Sequence, residues 1–285
     1  MKRTIDEKDI CNLYLNGEFL KDIAEKYGYS TTYTIKQILI KNNIPIRNAS
    51  QNTSLYNKKN AKKKNIKYFD TQSHNMAWLL GFIAADGCVY QNKNEIKIGL
   101  SSVDREILEK IKEELQIENK ICDYETNNGF LVSELRWTCA EHKQKLFEYG
   151  IIPNKTFCLG LPLKLKKEYY IDYIRGYFDG DGSINLIQNG NALRWQICSA
   201  TSEILNWIVN FFHEEYGISK VNIQEWKRKH SLYSIQYSTN ATKQIYKILY
   251  NGNLCLERKY KHYTELINDK KIHETPPLKQ EEKIC

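Results

Sequence analysis

The chain has 285 residues, a length that suits one core of moderate size plus an accessory module. Its 42 Lys and Arg residues outnumber its 34 Asp and Glu residues and leave a net charge of +8, which favours a polyanionic partner without requiring one. The longest apolar run, Met76–Ala85, is about half of what a membrane-spanning helix needs, and the N-terminus is charged from its start. We therefore expect a soluble protein without a signal peptide.

The cysteines show neither zinc-ligand spacing nor a Cys-x-x-Cys pair. They are Cys11, Cys88, Cys122, Cys139, Cys158, Cys198, Cys255 and Cys285. We expect reduced core thiols and a cytoplasmic protein, encoded by a prokaryote or phage, or an organellar one.

Residues 1–47 have the apolar spacing of three short helices, with breaks at Gly17 and Gly28 and an N-cap candidate at Ser30. The predicted inward residues are Ile5, Ile10, Leu13, Leu15, Leu20, Ile23, Ala24, Ile35, Ile38, Leu39 and Ile40. Residues 48–74 are rich in Asn and Lys and poor in apolar residues, which predicts a basic linker. Its lysines fit a solvated segment that follows DNA phosphates or, alternatively, a nuclear localisation signal.

From residue 75 onward the sequence repeats itself once. Trp78–Gly87 reads WLLGFIAADG and Tyr173–Gly182 reads YIRGYFDGDG, about 95 residues later. The segments after each motif predict the same order, so that each half is α-β-β-α-β-β-α. The predicted strands are 88–91, 95–101, 121–126 and 131–139, then 183–187, 193–199, 221–227 and 232–238; the predicted helices after the motifs are 104–115, 141–149, 202–216 and 242–250.

Each motif predicts a helix with small residues on one face and an aspartate at its end. Gly81 and Ala85 share a face of the first helix, as Gly176 and Gly180 do in the second, and such faces allow close approach of two helices. Packing of the pair would bring Asp86 and Asp181 together, and a divalent cation would relieve their repulsion.

A calcium-binding loop is the competing interpretation of the second motif. With Asp179 as position 1 of an EF-hand, Ile184 would stand at the obligatory glycine and Gly190 at the bidentate glutamate, so the EF-hand fails.

The two motifs resemble those of LAGLIDADG homing endonucleases, and the resemblance covers about residues 75–267. The closing segments Gly150–Thr156 (GIIPNKT) and Leu256–Tyr260 (LERKY) match as well. Ala84 stands where many members carry an acid, and Asp179 holds that place in the second motif. The resemblance implies an α+β fold with a duplicated core, one half at 75–163 and the other at 164–267, followed by a tail at 268–285.

In this family the motif helices form the interface between the halves, and the last acid of each motif binds catalytic Mg²⁺. The resemblance therefore implies Asp86 and Asp181 as catalytic metal ligands, with Ala85 and Gly180 beside them at the metal site and Mg²⁺ or another divalent cation as cofactor. The family often adds a basic residue near the start of the last helix of each half, for which Lys143 and Lys243 are the candidates.

The family's antiparallel sheets form a saddle over the DNA major groove, where polar side chains contact base edges. The strands here alternate apolar and polar residues, which equally fits any half-buried sheet. The candidate DNA-binding residues are Lys97, Ser101, Arg136, Arg194, Gln196, Gln224, Lys227 and Gln236.

Residues 20–30 resemble the second helix and turn of a resolvase-type helix-turn-helix. This resemblance implies a recognition helix that offers Thr32, Tyr33, Lys36 and Gln37 to DNA. A plain three-helix packing module is the alternative.

The sequence thus predicts a site-specific homing endonuclease that makes metal-dependent double-strand breaks at a long asymmetric target and acts as a monomer on double-stranded DNA. The alternative is a catalytically silent DNA-binding regulator or an intron-splicing cofactor of the same fold; retention of both acids favours the enzyme. An intein would begin with Cys or Ser and end with His-Asn, whereas this chain begins Met-Lys-Arg and ends Lys-Ile-Cys, so we expect no self-splicing.

Overall fold

The computed structural model describes residues 6–59, 64–187, 191–227, 231–251 and 254–268. The chain divides into two compact units, Met1–Lys62 and Lys63–Cys285. The predicted tail lies outside the described residues from 269 onward, and so does Ile5.

The first unit contains the three predicted helices and a fourth. They are α1 (Glu7–Leu15), α2 (Leu20–Lys26), α3 (Tyr33–Lys41) and α4 (Ala49–Lys59). Its core buries Ile10, Cys11, Tyr14, Ile23, Ala24, Ile35, Ile38 and Leu39.

Three expectations for this unit are wrong in detail. Leu15 and Ile40 are exposed, and Thr32 rather than Ser30 is the N-cap residue of α3. In α1 the inward place belongs to Tyr14, whose ring lies 3.9 Å from the guanidinium carbon of Arg47.

The segment predicted as a linker is largely structured. Helix α4 packs within the first unit: the Leu55 side chain lies against Gly17, and Lys59 forms an ion pair with Glu18 at 3.1 Å. The later part of the segment belongs to the second unit, where Phe69 is fully buried. This buried ring, together with the hydrogen bond from Tyr68 OH to Glu114 at 3.1 Å, holds that part of the chain against the core.

The second unit contains the duplicated order that the sequence predicts. Its first half comprises α5 (His74–Asp86), β1 (Gly87–Val89), β2 (Glu95–Ser101), α6 (Arg105–Leu115), β3 (Ile121–Glu125), β4 (Leu131–Thr138) and α7 (Ala140–Glu148). Its second half comprises α8 (Tyr170–Asp181), β5 (Gly182–Ile187), β6 (Ala192–Ser199), α9 (Ser202–Tyr216), β7 (Gln224–Trp226), β8 (Leu232–Tyr237), α10 (Thr239–Leu249) and α11 (Glu257–Asn268).

Each half builds one four-stranded antiparallel sheet. The strand orders are β1-β2-β4-β3 and β5-β6-β8-β7, so the two sheets have the same topology. Strand alternation places one set of side chains in the core and the other on the outer face of each sheet. Trp137 and Trp195 are fully buried on the inner faces, while Arg136 on the outer face of the first sheet is exposed.

The two motif helices pack against each other at glycine. A Cβ atom on Gly81 would lie 2.0 Å from the carbonyl oxygen of Tyr173, and one on Gly176 would lie 1.9 Å from that of Trp78. Only glycine permits this approach, because each glycine contacts the backbone of the opposite helix. The predicted small-residue interface is therefore present.

The second half departs from the prediction in two places. β7 is shorter than the predicted 221–227, and helix α11 adds an element after the expected last helix. α11 completes the core, since its Tyr263 is buried against Phe178 with ring centroids 5.7 Å apart.

The described cysteines are all free, but the expectation of core thiols holds for only some of them. Cys11 and Cys139 are buried, whereas Cys88, Cys122 and Cys158 are exposed. Cys285 lies outside the described residues. Among the helices that the structure describes, none is long and apolar enough to cross a membrane.

Candidate active site

Asp86 and Asp181 terminate the two packed helices. Asp86 is the last residue of α5 and Asp181 the last of α8, and each is followed by the glycine that begins β1 or β5. The close packing at glycine continues to the helix ends. A Cβ atom on Gly180 would lie 2.3 Å from the Ala85 Cβ and 3.0 Å from Asp86 Oδ2, so the Asp86 carboxylate lies beside the residue that precedes Asp181.

Both carboxyl groups are held in conditions that disfavour their charged forms. Desolvation raises the pKa of Asp86 above its ordinary value. Asp181 keeps a solvent-facing side but is otherwise surrounded by protein atoms, and this desolvation, together with the charge of Asp86, raises the pKa of Asp181 to about 6. Two carboxylates that oppose each other's ionisation form a site that a cation would stabilise.

Two lysines bracket the aspartates with matching geometry. Lys155 Nζ donates to the carbonyl oxygens of Ala85 at 3.3 Å and Gly87 at 2.6 Å, on either side of Asp86. Lys259 Nζ donates to the carbonyl oxygens of Gly180 at 2.9 Å and Gly182 at 2.8 Å, on either side of Asp181.

The charges of these lysines reach both carboxylates. Those of Lys155 and Lys259 lower the pKa of Asp86 and of Asp181, although in each case by less than desolvation raises it. Desolvation in turn lowers the pKa of each lysine. The site therefore holds two acids and two bases in one partly dry environment.

Of the two predicted lysines, Lys143 lies away from the aspartates. Lys143 Nζ donates to the carbonyl oxygens of Gln91 and Lys93 at 2.9 and 2.8 Å, in the turn between β1 and β2 and at the end of that hairpin away from Asp86. Lys243 is half-buried on α10, and in the described chain the lysines whose charges act on the carboxylates are Lys155 and Lys259.

Lys155 and Lys259 are therefore further candidates for the basic role, beside the predicted Lys143 and Lys243. The sequence carries a signal for them, because each belongs to a closing segment that resembles the family, GIIPNKT or LERKY. Helix position alone could not identify them, because both follow the last predicted helix of their half.

Contacts with the opposite half of the core lie close to each of these lysines. Arg258, beside Lys259, donates to both oxygens of Asp104 at 2.8 Å, and Asp104 is buried at the start of α6. The Thr201 hydroxyl donates to the carbonyl oxygen of Leu159 at 2.7 Å, four residues after Lys155. The two lysine positions thus depend on contacts between the halves.

Asp179 has a structural rather than a metal-binding geometry. It is fully buried and accepts hydrogen bonds from Trp78 Nε1 at 2.8 Å, Tyr250 OH at 2.6 Å and the Leu256 backbone N–H at 3.0 Å. It thereby joins α5, α10 and the second closing segment. Burial raises the pKa of Asp179 despite these donors.

The candidate DNA-binding residues of the core lie on the outer faces of the two sheets or at their edges. In the first sheet Lys97 stands opposite Arg136, and in the second Gln196 stands opposite Gln236. Ser101, Gln224 and Lys227 are exposed, and Arg194 is half-buried. The helices pack on the inner faces of the sheets and leave these outer faces uncovered.

A family model for a LAGLIDADG-like domain matches residues 73–147 and 168–258. The chain belongs to this LAGLIDADG family. The two matched segments coincide with the two halves of the core, and each contains one motif helix with its terminal aspartate.

Curated relatives of this LAGLIDADG chain come from Methanocaldococcus jannaschii. One is named "Uncharacterized protein MJ0314" and is 27% identical over 191 residues, which are 65% of this chain and 67% of that one. Another is named "DNA-directed RNA polymerase subunit Rpo1C" and is 29% identical over 116 residues, which are 39% of this chain but only 13% of that one.

Two of the solved structures that are similar to this LAGLIDADG chain are a homing endonuclease and a DUF199/WhiA protein. The I-LtrWI LAGLIDADG homing endonuclease bound to target DNA is 14% identical, with a TM-score of 0.43, and the match covers 71% of this chain and 89% of that one. Full-length DUF199/WhiA from "Thermatoga maritima" is 13% identical, with a TM-score of 0.45, covering 74% of this chain and 66% of that one.

The donor set of the LAGLIDADG site suits Mg²⁺. Mg²⁺ prefers oxygen ligands and is commonly held by one or two carboxylates, with waters and substrate phosphates completing its octahedron. Asp86 and Asp181 supply such a pair, and no cluster of three or more His, Cys, Asp or Glu that could cage an ion occurs among the described residues. The carbonyl oxygens of Ala85 and Gly180 already accept from lysine and keep one lone pair each.

The candidate residues of the first unit lie at the start of α3. Tyr33, Lys36 and Gln37 are exposed, and Thr32 is half-buried at the N-cap. Ile35, Ile38 and Leu39 fill the opposite face of the same helix, so the exposed residues form one continuous side.

Proposed function

We propose that the protein is a site-specific DNA endonuclease that makes metal-dependent double-strand breaks. One observation carries the proposal: two aspartates meet at the ends of packed helices, and each is bracketed by a lysine. A purely structural helix pair has no need for two mutually repelling, partly desolvated carboxylates at its end.

Mg²⁺ at this site would supply a nucleophilic water and neutralise charge on the phosphate. Asp86 and Asp181 would hold the ion, with further oxygens from Ala85, Gly180, water and DNA. Lys155 and Lys259 lie where they would stabilise the negative charge that develops on the phosphate during cleavage. One aspartate and one lysine from each half supply one set for each DNA strand.

The remaining surfaces fit the same proposal. The outer faces of both sheets carry Arg, Lys and Gln, whose side chains can bind base edges in the major groove. We further propose that the first unit binds DNA through Thr32, Tyr33, Lys36 and Gln37 on α3.

The test is incubation of the purified protein with a randomised DNA library and Mg²⁺, followed by sequencing of the cut ends. We expect cleavage at one long asymmetric sequence. Asp86→Asn and Asp181→Asn each remove one metal ligand and no base contact, so they should abolish double-strand cleavage while DNA affinity stays within about tenfold.

Full cutting by either variant would overturn the metal-site assignment. Specific binding without any cleavage by the wild-type protein would overturn the enzyme and favour a DNA-binding regulator or a splicing cofactor of the same fold.

A further inference from the structure

The two sheets carry different chemistry at equivalent positions of their outer faces. Gly87 stands opposite Ile98 in the first sheet, and Gly182 stands opposite Ile197 in the second, which makes Lys97 and Gln196 equivalent. Their cross-strand partners are Arg136 and Gln236. A basic pair in one half therefore replaces an amide pair in the other.

The basic pair is held in place by one acid. Glu134 side-chain oxygens accept from Lys97 Nζ at 3.1 Å and from Arg136 at 2.6 Å through an Nη atom and 3.1 Å through Nε. Glu134 is buried although it lies on the outer face, whereas the Arg136 side chain is 47% exposed. Glu95 accepts from the other Nη atom of Arg136 at 3.3 Å.

These contacts leave Arg136 competent to bind a base. A guanidinium has five N–H groups, and the bonds to Glu134 and Glu95 use three of them. One N–H remains on each terminal nitrogen, which is what a bidentate contact with guanine O6 and N7 requires. Because Glu134 fixes both basic side chains, little side-chain entropy is left to lose on binding.

The Gln236 amide is arranged for a different base, and the Nε2 of its partner Gln196 donates to Cys198 Sγ at 3.2 Å. Gln236 Oε1 accepts from Arg194 at 3.4 Å, and its Nε2 donates to Gln224 Oε1 at 3.2 Å. A guanidinium can only donate, so Arg194 fixes which end of the Gln236 amide is the oxygen. The amide keeps one N–H and one lone pair, the combination that binds adenine N7 and N6.

We propose that the first sheet contacts guanine through Lys97 and Arg136, positioned by Glu134, and that the second sheet contacts adenine through Gln196 and Gln236. The inference rests on the proposed function, since it takes the DNA to lie on the outer faces. It makes the two half-sites chemically different at the equivalent position.

The test is selection of bound sequences from a randomised duplex library by the full-length protein, without Mg²⁺ so that cleavage plays no part. The variant Lys97→Gln, Glu134→Ser, Arg136→Gln gives the first sheet the side chains of the second, since Ser234 is the equivalent of Glu134. We expect one guanine of the selected sequence to become adenine, with a preference change of about 5- to 150-fold, and the other half-site to stay unchanged.

The reciprocal variant Gln196→Lys, Ser234→Glu, Gln236→Arg gives the second sheet the side chains of the first and should convert adenine to guanine in the other half-site. It also keeps the test open if the first variant does not fold. Unchanged bases in both proteins would overturn this inference while leaving the endonuclease proposal intact. If the wild-type protein selects no sequence at all, the proposed function itself fails.

Glu134→Gln separates positioning from bulk structure. It removes one negative charge, so binding to random DNA should strengthen or stay equal, because phosphate attraction is not sequence-specific. Preference for guanine should fall, because Lys97 and Arg136 lose their shared anchor. Equal loss of specific and random binding would indicate a structural role only and would contradict the positioning role of Glu134.

Discussion

At the residue scale, the most informative feature is the pair of lysines that the folded chain brings to the two aspartates. Lys155 and Lys259 each bind backbone carbonyls on both sides of one aspartate, and their charges act on both carboxylates. Burial lowers the pKa of each ammonium, so neutral pH lies nearer to its titration range than it does for a surface lysine.

We expect Lys155→Met and Lys259→Met each to slow cleavage by about 100-fold or more, because each removes a cation aimed at the developing phosphate charge. Since each lysine brackets one aspartate, the variants should accumulate nicked plasmid before linear product. The measurement is the time course of both species on a supercoiled plasmid that carries the target.

Lys143→Met is the matched control, because Lys143 also donates to two backbone carbonyls but does so at the β1–β2 turn. A loss of activity in Lys143→Met as large as that in the other two variants would return the basic role to the helix position and contradict the role proposed for Lys155 and Lys259.

At the scale of elements, the motif helices are joined by backbone contact rather than by interlocking side chains. Gly81 and Gly176 touch the opposite helix directly, while Leu80, Phe82 and Phe178 are fully buried around them. This arrangement sets the distance between the two aspartates, so the stability of the core and the geometry of the proposed metal site depend on the same glycines.

Gly176→Ala should destabilise the second unit by about 3 kcal/mol or more, because the new methyl group meets a backbone carbonyl that cannot move without shifting α5. Urea unfolding followed by tryptophan fluorescence measures the change. Gly160→Ala is the control, since a Cβ atom there meets nothing within 4 Å, and its effect should be within about 0.5 kcal/mol. Equal effects of the two substitutions would refute the close-packing argument.

At the scale of the whole molecule, the boundary between the units determines which truncation is informative. Residues 64–69 belong to the second unit: Lys64 Nζ donates to the Thr138 carbonyl at 2.7 Å, and the His142 ring lies 2.7 Å from the Asn65 carbonyl oxygen. A chain that starts at Lys67 would lose both contacts. The cut should therefore fall at Lys64.

We expect a chain starting at Lys64 to fold and to cut the same target, but to need more protein or less salt. The physical reason is that the proposed DNA contacts of the first unit would raise the effective concentration of the linked core on the same DNA. Binding at several salt concentrations, with both chain lengths, measures the effect. Equal affinity of the truncated and full chains would show that the first unit does not bind this DNA.

The two halves also predict the oligomeric state. Their motif helices already bury each other within one chain, and the outer faces of their sheets differ at Lys97 and Gln196. A homodimer would favour a palindrome, whereas one chain with unlike halves fits an asymmetric site. We expect a monomer by light scattering, both free and on DNA; a stable dimer that cuts only a palindromic target would refute this.

Much of the core was predictable because its signals are local and repeated. The small residues at Gly81 and Gly176 predicted the helix pair, and the alternation in β2, β4 and β8 predicted the inner and outer faces of the sheets. Both signals depend only on the fixed periods of helices and strands, and the sequence repeat presents each signal twice. The aspartates were predictable for the same reason, since each ends its motif.

What only the tertiary structure decided are the contacts between segments far apart in the chain. Lys155 reaches the Ala85 carbonyl across 70 residues, and Lys259 reaches the Gly180 carbonyl across 79. No local period specifies such a contact, because it depends on the path of the closing segments after the last helix of each half. The same holds for Glu134, whose place in an alternating strand predicts an outer-face acid but not that it anchors both Lys97 and Arg136.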